Sequence, residues 1–254
     1  MAKGKANGGG PKYVYGVVRA RRSSRLKQSG IRDAPIKVVA HKGIGALTSD
    51  VPDAELEAGR DELLTHSGVL ERALQKGVVL PMRFGIVMPD EGSVRDRLLE
   101  AHREELEAQL DEMDGKAEVN VKGIYDEATV LREVVDEDQE IAALRESIQG
   151  QPEDATYFER IRVGELVSGA LDRKRAEDER WIVDQLLPHS VAVEVGEPVH
   201  ERMAVNASFL VEHQQRSEFD RALDGIASEL GGRIKFKYTG PLPPHSFVEL
   251  SVEA

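Results

Sequence analysis

The apolar residues of this chain change period repeatedly, and that alternation constrains the fold more than any other feature. Period two marks strands, and stripes at three and four mark helices. Tyr13 to Val18 is β-branched and aromatic and reads as a strand. Ile36 to Ala40 and Ile44 to Thr48 read as two more, joined by a Lys42-Gly43 hairpin turn. A helix is expected from about Asp53 to Gly77, with Leu56, Leu63, Ser67, Leu70 and Leu74 on one stripe. Val78 to Val87 reads as a buried strand. Ser93 is placed to cap a helix that carries Val94, Leu98, His102, Leu106, Leu110 and Met113 on one face. Ala117 to Tyr125 alternates and reads as a strand.

The pattern then changes. Residues 126–188 are mostly helical in character, with a break at Gln151-Pro152. One long helix is expected from Tyr157 to Leu187. Val163, Leu166, Val167, Ala170 and Leu171 would form its buried stripe, and the charged run Arg173 to Arg180 would face solvent. Val191 to Val195 and the alternating Met203 to Val211 are strands. Ser217 would cap a helix with Phe219, Leu223, Ile226 and Leu230 in register, and Gly231-Gly232 would close it. Ile234 to Thr239 is the last strand, because the Pro-rich Gly240 to Phe247 cannot be an interior one.

The expected fold class is therefore α+β: two small sheet-plus-helix (ferredoxin-like) domains linked by a helical segment with one long helix. The expected division is a flexible leader at 1–11, an N-terminal α+β domain at 12–125 with a basic loop at 19–34, a helical connector at 126–188, and a C-terminal α+β domain with a Pro-rich tail at 189–254.

Composition excludes several chemistries. The chain has no cysteine, so disulfides, thiolate metal sites and cysteine nucleophiles are absent. That suits a reducing cytoplasm. No apolar run approaches the roughly 20 residues that span a bilayer, and Met1 to Gly10 lacks the apolar core of a secretory signal. No phosphate loop, dinucleotide fingerprint, zinc-protease helix or nucleophile elbow occurs. The seven histidines include no pair at i, i+3 or i+4, so neither a metal nor any other cofactor is expected, and no catalytic residue. His66 and His102 lie near apolar stripes and read as packing residues. The net charge of −12 is uneven: residues 1–37 hold ten Lys/Arg and one acid, and the remainder holds 24 basic and 45 acidic residues. The basic arm reads as a tether for an acidic partner or nucleic acid, or as a loop leaning on its own acidic body.

Four ordered stretches are specific: Tyr13-Val14-Tyr15-Gly16, Val79 to Val87 with Pro81-Met82-Arg83-Phe84-Gly85 at its centre, Asn206 to Val211, and Tyr238 to Val248. Together they resemble the gas vesicle protein F/L family over about residues 12 to 250. This chain departs from it at Leu242, where the family usually has an aromatic, and at His245, where it usually has Tyr. The resemblance implies two α+β domains and a non-enzymatic accessory role in gas vesicle assembly, cytoplasmic and vesicle-associated. It implies binding to the small, very hydrophobic major shell protein, which limits that protein's aggregation. A structural component retained in the vesicle wall, or a scaffold for other accessory proteins, is the alternative. Nucleic acid and membrane are not expected partners.

Site expectations rest on the motif residues. Arg83 either pairs with a helix-borne acid or contacts a partner. Phe84 is expected in the core, and Gly85 at a bulge or close approach. Pro81, Asn206 and Phe209 read as structural, with Asn206 satisfying backbone groups where sheet meets loop. Tyr238, Gly240, Pro241, Leu242, Pro243, Pro244 and Phe247 are held extended by their prolines. They form either a partner-binding segment or a cover across the C-terminal sheet.

Overall fold

The computed structural model describes residues 9–20, 28–52 and 59–249. The expected leader up to residue 8, the centre of the basic loop at 21–27, the expected helix start at 53–58 with Leu56, and residues 250–254 lie outside the described residues. The chain divides into two compact units. One comprises residues 1–118 and 241–254, the other 119–240.

The first unit is built on β1 (Lys12–Arg19), whose side chains are almost all buried. It pairs antiparallel with β3 (Ile44–Asp50) on one side, and with β4 (Val79–Pro81) and β5 (Val87–Met88) on the other. β2 (Lys37–His41) adds to β3, giving the order β2-β3-β1-β4. Lys42 and Gly43 take φ of 44° and 98°, the two left-handed residues that a tight hairpin needs. α1 (Arg60–Leu74) packs on β1 and β4. Its buried residues are His66, Val69, Leu70, Ala73 and Leu74. The expected stripe is thus rotated: Leu63 is 44% exposed, and His66 takes the inward position instead.

The expected strand at 78–87 is two strands with a break between them. Pro81 has no N–H to continue a ladder, and Gly85 sits at φ 92°. The helical run after β5 comprises α2 (Glu91–Ser93), a π-helical stretch (Val94–Glu100) and α3 (Arg103–Met113). Asp90, not Ser93, caps it: the Asp90 Oδ1 accepts from the Ser93 N–H at 2.7 Å.

The second sheet has the order β7-β8-β6-β9, with β6 at Lys116–Tyr125, β7 at Ala192–Val195, β8 at Met203–Glu212 and β9 at Ile234–Leu242. Chain order here is strand, helices, two strands, helix, strand, and it gives the strand order of the ferredoxin-like split βαβ unit. The first sheet has the same order, but β1 runs antiparallel to β3. Strand β6 pairs in the second sheet, although its place in the chain suggested the first domain. Periodicity identifies a strand and says nothing of its neighbours.

Between β6 and β7 lie α4 (Glu127–Glu137), α5 (Gln139–Ile148) and α6 (Tyr157–Leu186). Asp126 and Asp138 cap α4 and α5 with their carboxylates. The main core of this unit includes Val121, Tyr125, Ile182, Leu186, Phe209 and Phe219. The Phe209 and Phe219 rings lie 5.2 Å apart. Burying each such ring contributes about 2 to 3 kcal/mol. α7 (Arg216–Glu229) begins one residue before the expected Ser217 cap, after Gln215, with no side-chain cap bond.

Two expectations for α6 are corrected. Of its central stripe only Ala170 is fully buried, packed with Val134 and Ile141 of α4 and α5. The charged run is not simply solvated either: Lys174 pairs with Glu133 and Glu137, and Asp178 is held by Arg233.

Candidate functional site

In the first unit, residues far apart in sequence meet around one imidazole. Tyr13 and Tyr15 lie two apart on β1, so they share a face, and both reach His66 with ring centroids at 5.7 Å. Phe84 stands at 5.7 Å on a further side. His66 is 4% exposed. Its Nε2 lies 3.2 Å from the Met82 carbonyl oxygen, which can only accept, so Nε2 carries the proton. Nδ1 then accepts from the Tyr13 hydroxyl at 2.8 Å, and that oxygen accepts from the Gly85 N–H at 3.1 Å. With the ring neutral, both imidazole nitrogens and the Tyr13 hydroxyl proton have partners.

Electrostatics agree. Burial, with the nearby His245 charge adding to it, pulls the His66 pKa down to about 4, partly opposed by the Met82 bond. Burial raises the hydroxyl pKa values of Tyr13 and Tyr15. The folded pKa of His66 lies below its ordinary 6.5, so the folded state binds fewer protons. Its contribution is therefore complete above that value and lost as pH falls towards 4. Between pH 7 and pH 5 the loss is expected to be about 2 kcal/mol. Urea unfolding at both pH values measures it, and His66→Gln is expected to flatten the difference by that amount.

The tail comes to the same unit. Residues 241–249 belong with the first unit. The Ser246 N–H and hydroxyl donate to the buried Glu118 carboxylate at 2.8 and 3.0 Å, and Gln109 Nε2 donates to the Glu249 carbonyl at 3.2 Å. Pro243 and Pro244 are buried, Leu242 and Phe247 half-buried, and Pro241 exposed. Gly240, Pro241 and Leu242 extend β9, an edge strand, which is where proline is tolerated.

The other motif residues scatter. Arg83 is exposed and makes no ion pair or side-chain hydrogen bond among the described residues, so the expected pairing with a helix-borne acid is absent. Phe84 is half-buried against the core. Pro81 is buried in β4. Tyr238 donates to Asp220 at 2.8 Å and accepts from Arg216 at 3.1 Å, which commits it to α7. Asn206 Nδ2 donates to the Glu197 carbonyl at 3.0 Å, and Phe209 is fully buried.

Sequence reasoning missed Glu118 and a charged cluster in the second unit. There Arg233 bonds both oxygens of Asp178, at 2.9 and 2.6 Å, and Glu133 at 2.7 Å. Tyr125 donates its hydroxyl to the same Asp178. Among the described residues no group of three or more His, Asp or Glu is placed to hold a metal ion. No described helix is long and apolar enough to cross a membrane.

A family model described as "Gas vesicle synthesis protein GvpL/GvpF" matches residues 11–249. The chain belongs to this family. Among curated members it is 35% identical over 240 residues to gas vesicle protein F of Streptomyces sp. (strain CB03234), covering 93% of this chain and 99% of that one. It is 28% identical to gas vesicle protein F of Dolichospermum flosaquae, covering 94% and 98%. The crystal structure of GvpF from Anabaena sp. PCC7120 superposes with a TM-score of 0.82 at 25% identity, covering 96% of this chain and all of that one. Family membership gives the chain a role in gas vesicle formation. In this chain Tyr13 and Met82 bond His66 directly, and Gly85 bonds the Tyr13 hydroxyl.

Proposed function

We propose that this GvpL/GvpF member binds the hydrophobic major shell protein during vesicle formation and limits its aggregation before it joins the wall. The observation that supports this best is Arg83. It stands on the turn that His66 fixes through Met82, exposed and with no ion pair among the described residues. A fixed guanidinium with five free donors suits backbone carbonyls or carboxylates of a partner. In the same unit Pro241, Leu242 and Phe247 offer partly exposed apolar surface on a segment already ordered by its prolines, so little entropy is lost on contact. Tyr238 is committed to α7, and Pro243 and Pro244 are buried, so these are not assigned a partner contact. The acidic body would keep such a complex soluble.

Co-expression with the major shell protein, followed by affinity capture from the soluble fraction, tests the proposal. The shell protein should stay soluble and be captured with the chain. Arg83→Ala should lower the captured amount several-fold without changing the melting temperature. Aggregated shell protein with no capture would overturn direct binding. Stoichiometric recovery of the chain in washed vesicles would favour a retained wall component instead.

A further inference from the structure

One side of the first half of α6 packs on α4 and α5 through Leu166, Val167 and Ala170, while its first turns carry exposed apolar side chains. Tyr157, Phe158 and Ile161 are 60%, 79% and 44% exposed, with the Tyr157 and Phe158 rings edge to face at 5.4 Å. From Tyr157 the spacing alternates four and three through Ile161, Gly164, Ser168, Leu171 and Arg175. That is the heptad seam by which one helix receives another.

The middle of the seam is small. A Cβ built on Gly164 would meet nothing within 4 Å. Glycine inside an exposed helix is about 1 kcal/mol worse than alanine, and no described residue fills the room it leaves. Gly164, Ser168 and Leu171 open into a groove of about 610 Å³, whose other wall is Pro198, His200 and Glu201 of the β7–β8 loop. Val199 on that loop is 72% exposed. The far end is closed by Arg175, which donates to the Met203 and Glu201 carbonyls at 3.0 and 2.7 Å.

Charge selects the occupant. The cations beside the seam are already paired: Arg160 with Glu153, Arg162 with Glu140 and Glu165, Lys174 with Glu133 and Glu137, and Arg175 with Asp172. The carboxylates of Glu201 on the opposite wall and of Glu197 next to Pro198 in the chain have no ion pair among the described residues. The surface therefore offers an apolar floor beside unneutralised negative charge. That disfavours an anionic membrane and suits an apolar helix edged with cations.

We propose that this seam docks an amphipathic α-helix of a partner protein, whose large apolar side chains fill the groove over Gly164 and Ser168 and whose flanks carry Lys or Arg. It uses none of the residues invoked for the shell protein, so either reading can fail alone.

The test uses the full chain and three labelled synthetic helical peptides: leucines at heptad a and d positions with Lys flanks, the same with Glu flanks, and a scrambled Lys peptide. Fluorescence anisotropy should show saturable binding of the first, at least tenfold tighter than either control. Phe158→Ser and Gly164→Leu should each weaken it at least tenfold. Both leave the net charge unchanged, and Gly164→Leu introduces a better helix former, so misfolding would not explain its effect. Absent binding, equal binding of the scrambled peptide, or indifference to both substitutions would overturn the proposal. Concentration-dependent dimers in sedimentation, abolished by the same substitutions, would assign the seam to a second copy of the chain and overturn it too.

Discussion

Arg233→Met should destabilise the second unit by about 2 to 3 kcal/mol, because it strands the Asp178 carboxylate, mostly drawn out of water, while Glu133 keeps its pair with Lys174. The Arg233, Asp178 and Glu133 side chains are 18%, 17% and 26% exposed. The guanidinium makes three charge-assisted bonds to them and lies 5.7 Å over the Tyr125 ring. Methionine keeps most of the apolar stem, so the loss isolates the charge. Trp181, the only tryptophan, packs against this unit's core and reports its unfolding by fluorescence. Adding Asp178→Asn to Arg233→Met should recover most of the loss, since the stranded charge disappears. A loss under about 1 kcal/mol would return the cluster to the solvated face that the sequence suggested.

Gly16→Ala should cost about 2 to 3 kcal/mol, an overpacking effect confined to the first unit. A Cβ there would stand 2.6 Å from the Leu80 carbonyl oxygen, 2.9 Å from Leu70 Cδ2 and 3.2 Å from Val79 Cγ2. Leu70 can rotate, but Leu80 is backbone of the strand that pairs with β1 at this point. Relief therefore requires β4 to move, which pulls on the Pro81–Gly85 turn and its bonds to His66 and Tyr13. Gly164→Ala supplies the opposite sign: with no atom within 4 Å it should raise stability by up to about 1 kcal/mol. Chemical denaturation followed by circular dichroism distinguishes the two. Equal effects would mean that β1 and β4 are packed less closely than described.

Much of this was legible in the sequence. The alternation in Met203 to Val211 and the stripe of Phe219, Leu223 and Ile226 correspond to β8 and α7, and the 30-residue α6 lies within one residue of its expected span. Period carries such elements because burial on one face dictates it. Pairing was not legible, since β6 alternates equally well for either sheet. Nor was the turn at Met82 to Ile86, which is apolar enough to read as strand until Pro81 and the left-handed Gly85 are set in place. The His66 centre had one signal, Tyr13 and Tyr15 on a common face, but their contact lies 51 to 53 residues away on α1. Arg233 and Asp178 meet across 55 residues, and a charge run gives no sign of which member turns inward.

The central claim is that Tyr13, Met82 and Gly85, separated in this chain, are joined around a neutral His66. Long-range nitrogen–proton NMR of the imidazoles in the full chain tests it most directly. At pH 7 His66 should be protonated at Nε2 alone, and it should titrate near pH 4, as burial and the Tyr13 and Met82 bonds require. A proton on Nδ1, or titration near the ordinary 6.5, would contradict it.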